Sequence, residues 1–95
     1  MADATPGSAN WLKLVQEPII DRERPIVDPH HHLWTDADGR TPYLLGDLWA
    51  DTGSGHRIEK TVFIEWHASY HRGGPEYLKP VGETEFAARI ARASR

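Results

Sequence analysis

The chain has 95 residues, which suits one small domain and is short for two. A hydrophobic share of 39%, seven prolines, eight glycines and a mean hydropathy of −0.59 describe a loop-rich chain with modest material for a core. A net charge of −3 gives phosphate backbones no electrostatic footing, and the absence of cysteine excludes disulfides and thiolate metal sites.

No stretch approaches the roughly 20 apolar residues that cross a bilayer, and the first ten residues carry no basic region or apolar run of a secretory signal. A soluble cytoplasmic protein with no nucleic-acid or membrane partner is the expectation.

Residues 1–10 read as a disordered tail and residues 11–95 as the domain. Trp11 to Glu17 suits a short helix, with Ser8 or Asn10 as its cap and Pro18 ending it. Asp21 to Arg24 is a charged connector. Pro25 to Asp28 reads as a strand, and Pro29, which has no N–H, weakens regular pairing there.

Leu33 to Arg57 is long and carries many turn residues, with a short helix expected around Gly46 to Ala50. Its aromatic and leucine content calls for burial. Lys60 to Trp66 is the strongest strand pattern, nearly continuous in apolarity, as in strands covered on both faces. His67 to Pro80 is a second loop. Glu83 to Ala93 reads as a helix with Phe86, Ile90 and Ala93 on one face and Glu83 and Glu85 in the first turn, where the helix dipole favours them. Arg89, Arg92 and Arg95 form a solvated stripe. The alternation of strands and helices predicts an α/β fold. Because a lone parallel pair does not make a stable domain, either a homo-oligomer or a larger parent fold is expected.

The chemistry concentrates in Ile26-Val27-Asp28-Pro29-His30-His31-His32-Leu33-Trp34. On a regular strand, residues two apart share a face, so His30 and His32 can hold one metal ion from a single rigid segment. Asp28 shares that face in strict alternation, either orienting a ligand or capping a solvated strand end. His31 points to the other face, for packing or a hydrogen bond behind the sheet. Glu65, at the end of the second strand, either reaches the same rim or meets Arg or solvent. Trp34, Trp49 and Trp66 line a pocket or pack in a core. His56, His67 and His71 lie near loops, where a further ligand or a solvated ring are both open. Two ligands alone do not complete a catalytic centre, which usually has three protein ligands and a water.

The histidine segment resembles the first-strand motif of the amidohydrolase superfamily, and more narrowly its amidohydrolase-related branch of lactone hydrolases and metal-dependent decarboxylases. The resemblance continues through Tyr43-Leu44-Leu45-Gly46-Asp47-Leu48, Thr61-Val62-Phe63-Ile64-Glu65 and Pro80-Val81-Gly82-Glu83-Thr84-Glu85-Phe86, covering about Trp11 to Ala93. It implies the first two βα units of a (β/α)8 TIM barrel with the site at the C-terminal strand ends.

It also implies a divalent metal, zinc first, held by His30 and His32, beside which Asp28, Glu65 and Trp34 stand, on the residue reading, as supporting or substrate-facing candidates. The remaining ligands and the catalytic aspartate come from later strands, so no catalytic residue is assigned within the chain. The implied reaction is hydrolysis of a lactone or related carbonyl C–O bond. Decarboxylation of a carboxylic acid and a non-catalytic truncated fragment are the alternatives. Some lactonases of this branch work without a metal.

Overall fold

In the computed structural model, residues 4–94 are described, Asp38 by its backbone alone. The order is helix α1 (Ala9–Leu12), strand β1 (Pro25–His31), helix α2 (Leu45–Thr52), strand β2 (Arg57–Phe63) and helix α3 (Val81–Ala93). Short 3-10 turns lie at Asp36–Asp38 and Glu76–Leu78. The architecture is mixed α/β, with β1 and β2 paired in parallel in a two-stranded sheet.

Helix α1 is one turn where the sequence suggests two. Ser8, and not Asn10, caps it by accepting from the Trp11 N–H at 3.1 Å. Beyond Leu12 the apolar side chains of Leu14 and Val15 are exposed and pack on nothing that would extend the turn. Short helices need such packing. The turn begins inside the segment expected to be disordered, whose residues 1–3 lie outside the described residues. Arg89 and Arg92 are exposed, and Arg95 lies outside the described residues.

The register of the sheet explains where the site forms. Asp28 pairs with Thr61 and His31 with Phe63, so three steps along β1 match two along β2. One extra residue is thus accommodated around Pro29, which lacks the donor a regular ladder needs. Exposure follows the bulge. Ile26, Asp28 and His31 are half-buried, whereas Val27, Pro29 and His30 face outward. Strict alternation of exposure therefore breaks between Asp28 and His31. Two register shifts, between Ile26 and Val27 and between Asp28 and His31, replace the regular alternation expected along β1.

Strand β2 begins and ends three residues earlier than its apolar run suggests, and it is not covered on both faces. Val62 is 44% exposed and Val27 on β1 is 57% exposed. The core sits instead at the C-terminal end of the strands, where Leu33, Leu48, Ala68 and Phe86 are buried. Trp34, Tyr43, Leu44, Phe63, Trp66 and Ile90 pack around them. Helix α2 enters with Asp47, whose carboxylate accepts from the Leu44 N–H at 3.0 Å. On α3, Phe86 and Ile90 face the core as expected, while Ala93 is exposed at the last turn.

Glu83 plays a part that its position in the sequence does not announce. It is 1% exposed, and its carboxylate accepts from the Trp66 N–H at 3.0 and 3.1 Å and from the Ala68 N–H at 3.0 Å. Left-handed backbone at His67 (φ 69°) and Ser69 (φ 54°) accompanies this turn of the loop toward the start of α3. Gly82 makes the approach possible, because a Cβ there would lie 2.4 Å from the Ser69 carbonyl oxygen. The carboxylate thus ties the loop after β2 to the helix, in addition to any dipole effect.

Replacing Glu83 with Ala leaves two inward-facing N–H groups without their acceptor. The expected loss is about 2–4 kcal/mol of unfolding free energy, with a smaller loss for Glu83→Gln, whose amide oxygen still accepts. Urea unfolding followed by tryptophan fluorescence checks this, and an unchanged midpoint for Glu83→Ala would show that the carboxylate does not hold the loop.

Candidate metal centre

The ends of the two strands meet through Ile64. Its N–H donates to the His31 carbonyl at 2.8 Å, extending the ladder one step past β2. Its carbonyl lies 2.8 Å from Nδ1 of His32. A carbonyl only accepts, so the His32 proton sits on Nδ1 and its Nε2 presents a lone pair. Metal-bound histidines are oriented in this way, one ring nitrogen on a backbone carbonyl and the other on the ion.

That free lone pair faces His30. The two Nε2 atoms are 3.0 Å apart and the rings stand edge to face, with centroids at 4.7 Å and an interplanar angle of 87°. In a neutral pair the shared proton belongs to His30, since His32 has its own on Nδ1. The geometry also suits two ligands of one ion. Nitrogens bound at about 2.0–2.1 Å lie about 2.9–3.4 Å apart for bond angles between a right angle and the tetrahedral value. His30 is exposed, leaving the far side of such an ion open to water or substrate. No group of three or more His, Asp or Glu side chains able to hold a metal occurs among the described residues. The pair fits as two ligands of a centre.

The other expected site residues divide. Asp28 accepts from the backbone N–H of His30 at 3.1 Å, closing a tight turn over the bulge. It therefore holds the backbone that carries the His30 ring, through the main chain and not through a ring nitrogen. Trp34 is fixed by its indole N–H on the Thr41 carbonyl at 2.6 Å and by two backbone hydrogen bonds with Tyr43. Its ring stacks on Tyr43 and tilts against Trp66, both at 5.3 Å. Glu65 is exposed, accepts from the Tyr70 hydroxyl and lies 3.6 Å from Nδ1 of His67. These partners hold Glu65 within its own loop, with no bond to the histidine pair.

His31 packs edge-on against Phe63 behind the sheet, as its face suggests. Its buried Nδ1 has no hydrogen-bond partner, and desolvation lowers its pKa against the opposing charge of Asp28. His71 pairs with Glu85 at 3.5 Å. His56 lies at the opposite end of the sheet, just before β2, beside Ile26 and Arg24. None of the three joins the pair. Trp49 is exposed on α2, while Trp66 lies against His32 with ring centroids at 6.3 Å.

An open groove of about 380 Å³ runs beside the pair, bordered by Asp28, His30, His32, Trp34, Tyr43 and Asp51. This is within the size range of small-molecule sites. Tyr43 and Asp51 were not singled out from the sequence. The Tyr43 hydroxyl donates to the Asp51 carboxylate, linking the loop before α2 to the last turn of that helix. Their separation along the chain carries no recognisable motif. No family model, curated protein or solved structure matches this chain.

Two phenols titrate late. Burial, reinforced by Asp51, raises the Tyr43 pKa, and the hydrogen bond to Glu65 pushes Tyr70 up to about 12. A raised phenol pKa gives stability that is complete below the unfolded value of about 10 and is lost as pH rises above it. Absorbance at 295 nm should therefore lose a step near pH 12 in Tyr70→Phe and a later one in Tyr43→Phe. Tyr43→Phe should also lose less stability than the parent chain on going above pH 10. A Tyr43→Phe titration curve that loses an ordinary phenol step instead would contradict the burial of that hydroxyl.

Proposed function

We propose that this chain is the opening segment of a metal-dependent hydrolase of (β/α)8 type, acting on a lactone or related carbonyl C–O bond. The observation that carries the reading is the His30–His32 pair, with Nε2 atoms 3.0 Å apart and His32 oriented by the Ile64 carbonyl. The parallel β1–β2 pair with a helix in the connection supports it, since such units build barrels and carry their sites at C-terminal strand ends.

A divalent ion, zinc first, would supply polarisation of the substrate carbonyl and acidification of a water. His30 and His32 would hold it. His32 enters with its tautomer already set, so little reorganisation is required of that ring. Asp28 keeps His30 in place through its backbone, and Trp34 and Tyr43 wall the groove in which the substrate would lie. The further ligand and the group that moves the proton belong to later strands of the proposed barrel.

Zinc or cobalt titration of the chain and of its single variants tests this reading. His30→Ala and His32→Ala should each weaken binding at least tenfold, the cost of losing one of two ligands that act together. Unchanged metal affinity in both variants, with an unchanged rate of lactone hydrolysis in any active form, would overturn it.

A further inference from the structure

Beside the histidine pair, Arg40 lies over the indole of Trp66, with Cζ 4.3 Å from the ring centroid. A guanidinium beside an indole keeps its planar fork of N–H donors for a second partner. Among the described residues, no carboxylate is paired with Arg40. The platform beneath it is well held. The backbone of Trp66 is bound by buried Glu83, and its ring tilts at 37° against Trp34. The same indole is 6.3 Å from the His32 ring, so the guanidinium is at most about 11 Å from that ring, taking the two separations end to end.

We propose that Arg40 is an anion anchor that receives the carboxylate of a small organic acid or acid-bearing lactone beside the histidine pair. Guanidinium and carboxylate match in a two-pronged, charge-assisted arrangement, and stacking on Trp66 reduces the side-chain freedom lost on binding. A separation of at most about 11 Å from the His32 ring allows one bound acid, with its carbonyl several carbon atoms from its carboxylate, to span from Arg40 to the histidine pair. This orientation rests on the metal-centre reading, whereas the anion anchor itself does not require a metal.

The test is a titration of the chain with glutarate at low ionic strength, read by tryptophan fluorescence, with uncharged glutaramide as the comparison. A saturable change is expected with glutarate and not with glutaramide. Arg40→Gln should bind glutarate at least tenfold more weakly, and Arg40→Lys, which keeps the charge but loses the fork, several-fold more weakly. The absence of saturation in the parent chain, equal response to glutaramide, or unaltered binding in either variant would overturn the proposal. The His30→Ala/His32→Ala double variant separates the two readings. Glutarate binding should survive there while zinc binding is lost, and survival with zinc binding also intact would remove the metal reading alone. Loss of glutarate binding in that double variant would place the anion on the histidines and overturn the role of Arg40.

Discussion

The two hydrogen bonds at Ile64 are the constraint on which the site depends. One continues the parallel ladder from the Ile64 N–H to the His31 carbonyl, and the other ends it by turning the Ile64 carbonyl toward the imidazole of His32. A side chain thus occupies a place that a backbone donor would fill in a longer sheet. The same bond sets the His32 tautomer, aims its lone pair at His30 and gives the ring a single orientation. Backbone pairing and the geometry of the histidine pair are here one interaction, which is why the pair lies where regular pairing stops.

Two further features support that corner from either side. On one side, Pro29 breaks the ladder, β1 takes in an extra residue, and Asp28 closes the turn on the His30 N–H. On the other, buried Glu83 holds the backbone of Trp66 and Ala68 against the start of α3. The aromatic group of Trp34, Tyr43 and Trp66 fills the space between them. The core therefore gathers under the loops at one end of the sheet, while much of the sheet remains exposed.

Much of this was legible in the chain. The two strands, the helix around residues 46–50 and the final helix arise from local patterns, and the structure places an element at each. The pairing of His30 and His32 was legible too, although exposure along β1 departs from strict alternation after Asp28. Periodicity presumes a regular strand, and a proline without an N–H makes this one irregular. The boundaries of β2 were displaced because the apolar residues Ile64 and Trp66 were read as strand, whereas Ile64 forms the junction and Trp66 belongs to the loop held by Glu83. The role of Glu83 was hidden because a carboxylate in the first turn of a helix has an adequate local explanation.

The sequence by itself determined the α/β alternation, the absence of cysteine and the presence of closely spaced imidazoles in one short segment. These depend on residue type and near-neighbour spacing alone. Only the tertiary structure decided that His31 packs on Phe63, which proton His32 carries, that Glu65 serves its own loop, and that Arg40 rests on Trp66. Each of those depends on groups brought together from distant parts of the chain, Ile64 with His32 and Glu83 with Trp66 above all, and no local pattern encodes such meetings.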